Sequence, residues 1–311
     1  MTIKLTQPFT RVPFLLAISI SIASATLAIA GQGSIESKNT NPTQIMESKP
    51  KAAISNAIKE YAIARYAGDV QGVRSRLHPA LASRTISDTY WGQPSDEWVR
   101  PLTFEGTSFL KTSVNRVLLD NPNSGRVEVT VHDIAQITAA ATLISEDRIE
   151  MLHLILFNDQ WLIADIVTNF LSNPGDKATA KTTRHDESIT KILTDYCVGF
   201  YEIDGQKVQN TCHPILSKRA VEHNDEGNFD FLQQITYEEI KILGETFNKS
   251  FGFEPDARCV VEIYEVRGDI AIAKMTGTVW FDYFQLLKVD NEWTIINIMF
   301  ESLPRDQWES T

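Results

Sequence analysis

Residues 61–84, YAIARYAGDVQGVRSRLHPALASR, and residues 196–219, YCVGFYEIDGQKVQNTCHPILSKR, align without a gap at an offset of 135. Tyr61, Tyr66, Asp69, Val73, His78, Pro79, Leu81 and Arg84 fall on Tyr196, Tyr201, Asp204, Val208, His213, Pro214, Leu216 and Arg219. Upstream, Ile54 and Ile58 meet Ile189 and Leu193 at the same offset. Downstream, Trp98, Leu102, Thr103, Phe104 and Glu105 meet Phe231, Ile235, Thr236, Tyr237 and Glu238 at an offset of 133. Arg126, Val129, Val131, Ala139, Ala141, Leu154, Trp161, Ile163 and Ile166 then meet Arg258, Val261, Ile263, Ala271, Ala273, Leu286, Trp293, Ile295 and Ile298 at an offset of 132. Three blocks in one order with a drift of three residues point to tandem copies of a single unit.

Each copy opens with apolar residues at helical spacing. Ile54, Ile58, Tyr61 and Arg65 share a face, Gly68-Asp69 breaks the helix, and Val73 and Leu77 continue a second one to His78-Pro79. Further helices are expected near Ser95 and near Thr236, where Thr236 and Glu239 have capping-box spacing. The remainder reads as strand: 126–134, 137–144, 149–157 and 161–167, with Asn158-Asp159, Arg267-Gly268-Asp269 and Asp290-Asn291 as turns. Helices followed by a strand meander give an α+β unit.

The expected organisation is a signal peptide over 1–30, a polar disordered arm over 31–50, copy one over 51–171, a linker over 172–186, copy two over 187–304 and a tail over 305–311. Lys4 and Arg11 precede an apolar stretch ending in Ala28-Ile29-Ala30, the small-x-small pattern of a cleavage site. A retained membrane anchor is the competing reading, diluted by Ser19, Ser21, Ser24 and Thr26. Cleavage would leave Gly31 first and place a soluble protein in the periplasm or outside the cell.

The chain of 311 residues carries 29 Lys and Arg against 40 Asp and Glu, a net charge of −11. Its basic residues are scattered, which excludes the concentrated cationic surface that nucleic acid or anionic membrane demands. The second copy is the more acidic, with 11 basic and 21 acidic residues over 189–311. Cys197, Cys212 and Cys259 are too few for a disulfide framework; they read as buried thiols, with Cys197–Cys212 the pair to test for a bond.

The pattern running from Tyr61 through Gly68-Asp69 and Leu77-His78-Pro79 to Asp159-Gln160-Trp161-Leu162-Ile163, present in both copies, resembles the putative lumazine-binding family of the nuclear-transport-factor-2-like superfamily. The resemblance implies two tandem cone-shaped domains, each a curved antiparallel sheet wrapped by N-terminal helices around an apolar pocket. It also implies sheet-to-sheet pairing, which a tandem copy can supply within one chain as a pseudo-dimer, with further homodimerisation left open. The stretch from Tyr61 through Gly68-Asp69 also resembles ketosteroid isomerase, but the general-base aspartate that this resemblance implies would fall at about Thr85 and at Ala220, neither a carboxylate.

The candidate ligand-binding residues are Tyr61, His78, Arg84 and Trp98 in copy one and Tyr196, His213, Arg219 and Phe231 in copy two. A phenol on the apolar helix face can donate to a ligand oxygen, or serve as a core tyrosine tied to a neighbour. His78 and His213 are the candidate catalytic groups, since a neutral imidazole can move a proton near pH 7; before proline they equally suit a chain stop. Arg84 and Arg219 suit an anionic ligand or an ion pair. Trp98 and Phe231 can stack on a planar molecule or simply pack. Glu150 and Asp282 occupy matched strand positions beside Met151 and Tyr283, and period-two alternation leaves open which of each pair faces inward. No metal-ligand spacing, phosphate loop, hydrolase elbow or CxxC motif is present, and no cofactor is implied.

These residues support three functions. The favoured one is non-catalytic binding of a small apolar or heterocyclic ligand. The alternatives are a lyase or isomerase using a pocket histidine with Tyr and Arg at an oxyanion, and a structural module whose cones are filled by their own side chains.

Overall fold

A computed structural model describes residues 42–90, 93–102, 104, 106, 127–171, 186–223 and 229–308, with the backbone alone at 42–48, 86–90, 93–101, 221–223 and 229–232. The proposed signal peptide and most of the proposed linker lie outside these residues.

Helix α1 spans Pro42–Ala67, so helix begins within the stretch whose composition suggested an unstructured arm. Gly68 adopts φ +67 and ends it, and the Asp69 carboxylate caps α2 (Val70–Arg74) by accepting from the Gly72 amide at 2.9 Å. The second half repeats the device. Helix α3 is Glu187–Tyr201, and Asp204 caps α4 (Gly205–Asn210) by accepting from the Lys207 amide at 2.9 Å. Where the first half has Gly68 the second has Ile203 at φ 59, a left-handed β-branched residue held there by the same turn.

Six strands follow each helix pair: β1 (Leu77–Tyr90), β2 (Gln93–Leu102), β3 (Val127–Ile134), β4 (Thr138–Ser145), β5 (Arg148–Phe157) and β6 (Gln160–Phe170), then β7 (Cys212–His223), β8 (Phe229–Ile235), β9 (Val260–Arg267), β10 (Ile270–Thr276), β11 (Trp280–Val289) and β12 (Glu292–Ser302). Between β8 and β9 lies α5 (Tyr237–Thr246), opened by the Thr236–Glu239 capping box. The sheets have the same order, β2-β1-β6-β5-β4-β3 and β8-β7-β12-β11-β10-β9. The hairpin turns Asn158-Asp159 and Asp290-Asn291 each have two positive φ angles, the conformation a two-residue turn needs to match strand twist.

Two expectations are corrected. The sheets are mixed rather than wholly antiparallel: β1 runs parallel to β6 and β7 parallel to β12, because the long path between the second and third strands of each sheet lets the last strand return beside the first. Ser95 lies in β2 rather than opening a helix; Ser95-Asp96-Glu97 imitates a cap, but pairing with β1 prevails. His78-Pro79 accordingly sits inside β1, at a break in the β1–β6 register between Leu77 and Ala82. A proline that donates no hydrogen bond is tolerated at such a bulge.

Three apolar clusters result. One joins α1 to its sheet through Ile54, Ile58, Leu152, Leu154 and Ile163. A second joins α3 and α5 to theirs through Ile189, Leu193, Ile240, Phe284 and Leu286. The third lies between the sheets, where Ala140, Met151, Ile155 and Val167 meet Ile270, Ile272, Tyr283 and Met299. Alternation along β5 and β11 settles which way each carboxylate faces: Glu150 and Asp282 point toward the helices, Met151 and Tyr283 into the seam between the sheets.

Candidate functional site

The interior of the first half is built around three side chains with no solvent exposure, Tyr61, Arg65 and Glu150. Tyr61 and Arg65 are one helical turn apart on α1, so both descend onto the sheet where β5 raises Glu150. The Tyr61 hydroxyl donates to Glu150 Oε1 at 3.2 Å and Arg65 Nη1 to Oε2 at 3.1 Å. Arg65 Nη2 donates to Ser145 Oγ at 2.7 Å and lies 3.8 Å from Asp147 Oδ1, while its guanidinium covers the Tyr66 ring at 5.1 Å. Thr168 Oγ1 adds a long contact to Glu150 at 3.5 Å. Burial, reinforced by the Glu150 charge, raises the Tyr61 phenol well above its ordinary range, so it remains a donor. Burial opposes the Arg65 charge, but Glu150, Tyr61, Asp147 and Tyr66 together outweigh it and hold the guanidinium above its usual value. Among the described residues Arg65 Nε and the Ser83 hydroxyl are buried with no hydrogen-bond partner.

The second interior keeps the tyrosine and the carboxylate but changes everything around them. Lys218 Nζ, from β7, donates to Asp282 Oδ1 at 2.6 Å and to the Tyr196 hydroxyl at 3.0 Å, and Trp280 Nε1 donates to Asp282 Oδ2 at 3.1 Å. Phe200 stands at the position of Arg65, Lys218 at that of Ser83 and Trp280 at that of Arg148. Several aromatic rings pack beside them. Phe200 contacts Tyr196, Phe247 and Trp280 edge-on with centroids 5.1, 5.7 and 6.2 Å apart, and Phe284 meets Tyr196 at 5.1 Å.

The other sequence-derived candidates lie elsewhere. Arg84 and Arg219 do not line the interiors; alternation turns them into the seam, where each crosses to the opposite half. Arg84 Nη2 donates to the Ile215 carbonyl at 3.2 Å, and Arg219 Nη2 donates to the Ala80 carbonyl, its match by the 135-residue offset. Arg219 also pairs with Asp165. His78 Nδ1 accepts the Ala80 amide at 3.1 Å and His213 Nδ1 accepts the Ile215 amide at 3.2 Å, so each imidazole closes its own His-Pro bulge. Burial and then Arg219 push His78 down to about 4; burial and then Arg84 lower His213. Neither is positioned beside Tyr61 or Tyr196: the ring neighbour of His78 is Phe157, at 5.2 Å. Trp98 pairs with Ser87 along β2 and Phe231 with Glu222 along β8, but their side chains lie outside the described ones. Cys197, Cys212 and Cys259 are free thiols, and Cys212 Sγ donates to the Val208 carbonyl at 3.6 Å rather than bonding Cys197.

Arg65 and Lys218 are the site residues the sequence reading passed over. Arg65 had a signal, since a charge on the same helical face as Ile54, Ile58 and Tyr61 needs a buried partner. Lys218 had none apart from strand alternation with Leu216.

Residues 184–301 match the family described as putative lumazine-binding. No curated protein matches the chain. Similar solved structures include a nuclear-transport-factor-2-like protein of unknown function from Shewanella baltica, with 18% identity, 38% of this chain and 93% of that chain covered, and a TM-score of 0.30. Another of that description, from Methylobacillus flagellatus, has 22% identity, 38% and 91% coverage and a TM-score of 0.30. A putative scytalone dehydratase from Novosphingobium aromaticivorans has 5% identity, 43% and 98% coverage and a TM-score of 0.31.

Proposed function

We propose that the chain is an exported binding protein of two duplicated modules, in which the first half holds a small heterocyclic molecule without turning it over and the second half is its built-in partner. The observation that carries this reading is the unequal filling of the two interiors. The first half keeps Arg65 and Ser83, with a buried unpartnered Nε and hydroxyl, where the second places Phe200 and Lys218. Leu152 likewise stands where the second half has the larger Phe284. A guanidinium beside a carboxylate presents donors and acceptors side by side, the complement of a ring carbonyl next to a ring N–H. Residues 184–301, which match a family described as putative lumazine-binding, form the second half; the ligand class is carried to the first half through the shared sheet order and the matched tyrosine–carboxylate pair.

Native mass spectrometry with an absorbance spectrum on the chain from Gly31 onward, followed by calorimetric titration with lumazine and other fused pyrimidines, tests the proposal. A bound mass or a saturable heat is expected, lost in the paired variant Arg65→Met with Glu150→Leu, which removes both charges together. Absence of both signals favours a second reading, a structural module with filled cones. That reading has its own observation in the Trp280, Phe200 and Phe247 cluster, whose rings pack edge-on inside the second interior.

A further inference from the structure

The seam between the sheets carries an arrangement that neither interior explains. Arg84 and Arg219 are matched residues, 8% and 1% exposed, that reach across the seam in opposite directions. Around them the two halves are not equivalent. Asp165 and His153 in the first half correspond, at an offset of 132, to Asn297 and Gln285 in the second, and all four side chains are fully buried. Asp165 pairs with Arg219 and with His153 Nδ1 at 3.1 Å. Asn297 Nδ2 donates to Gln285 Oε1 at 2.8 Å, and Gln285 Nε2 donates to the Met151 carbonyl at 2.9 Å. A symmetric seam would set a second carboxylate at 297. The asparagine leaves two guanidinium groups and a single carboxylate.

Arg84 is the cation left over. Among the described residues it forms no ion pair; its Nη atoms donate to the Ser83 carbonyl at 3.1 Å and the Ile215 carbonyl at 3.2 Å. Among the described residues its Nε and the Nε of Arg219 are donors buried without a hydrogen-bond partner; Ser217 Oγ, Asn297 Oδ1 and His153 Nε2, which accepts when Nδ1 donates to Asp165, are likewise buried and unpartnered. Two unsatisfied guanidinium donors beside an unbalanced buried charge are costly unless a negative group meets them. Burial, eased by Asp165 and aggravated by Arg219, holds Arg84 down to about 10.

We propose that the seam binds a small monovalent anion, chloride or a short carboxylate, against Arg84 at the place where Asn297 replaces an aspartate. The site lies on the opposite face of the sheet from the Tyr61 cluster and is independent of the ligand proposed for it. An anion there neutralises Arg84 and gives the orphaned donors an acceptor. It also ties the packing of the two halves to anion concentration, because both halves contribute to the site.

Thermal unfolding of the full chain at constant ionic strength, with gluconate replaced stepwise by chloride or by formate, tests this. The wild type should gain about 3 °C with a saturating dependence on one of the small ions. Saturation with chloride alone identifies an inorganic anion, and saturation with formate alone a carboxylate ligand. Asn297→Asp, which restores the missing carboxylate, should melt higher in gluconate and respond to neither ion. Arg84→Gln should also lose the response. A wild type with no saturable response overturns the proposal, and so does an unchanged response in Arg84→Gln, which remains decisive if Asn297→Asp does not fold.

Discussion

The two halves neutralise the same buried tyrosine–carboxylate pair from opposite sides. In the first, the cation comes down from α1 as Arg65 and the strand position beneath it is Ser83; in the second, the cation comes up from β7 as Lys218 and the helix position is Phe200. The carboxylate meets a cation in both, supplied by the helix in the first half and by the strand in the second. A buried carboxylate tolerates a change of partner, provided that some cation reaches it. The exchange also redistributes volume, since Phe200 joins Trp280, Phe247 and Tyr196 in an aromatic cluster that Arg65 precludes.

The largest expected effect separates the two cations. Glu150→Gln leaves Arg65, which cannot release its proton, with only the longer 3.8 Å approach to Asp147, and should cost about 3–5 kcal/mol in chemical denaturation at any pH near neutral. Asp282→Asn strands a lysine instead. Its penalty cannot exceed the free energy of deprotonating an ordinary lysine, about 4.6 kcal/mol at pH 7 and about 1.9 kcal/mol at pH 9. The destabilisation by Asp282→Asn should therefore shrink as pH rises while that of Glu150→Gln stays constant. Parallel pH dependence in both variants would mean that the two clusters are not the alternatives they are taken to be.

A smaller effect is expected from converting one half into the other. Arg65→Phe leaves Glu150 without its cation, and Ser83→Lys alone adds a second cation to a balanced cluster. Together they reproduce the arrangement of the second half. The double variant should recover most of what the single changes lose, a coupling of about 2–3 kcal/mol in a double-mutant cycle. Additive losses would show that Ser83 and Lys218 do not occupy equivalent places relative to their carboxylates.

Which parts of this were legible in the sequence follows from the distance over which each is specified. The duplication, the capped helices and the hairpin turns are local, and the sheets follow from them. Tyr61 was readable as inward because helical periodicity fixes its face, and Arg65 shares that face. Arg84 was not, because its orientation depends on the bulge at His78-Pro79, and a shift of one residue reverses every side chain beyond it. The partners that give Arg219 its role, Asp165 and the Ala80 carbonyl, are 54 and 139 residues away in the chain, and no local pattern encodes them. Glu150 and Asp282 could be matched to each other, but not assigned a face until the ladders were in place.

The two histidines give the finest comparison. Both accept a backbone amide through Nδ1 and both are lowered by burial and then by the opposing arginine, but His78, the more deeply buried, reaches about 4. A histidine whose folded value lies below its unfolded value of about 6.5 binds its proton first in the unfolded chain. Its native environment is therefore fully tolerated above pH 6.5 and progressively penalised as pH falls toward 4. At pH 5 the penalty attached to His78 is about 2 kcal/mol. His78→Gln should remove that acid sensitivity, flattening the stability curve between pH 7 and 5, and His213→Gln should flatten it less. Equal flattening would place the two bulges in the same environment and remove the deeper burial of His78 as the cause of the difference.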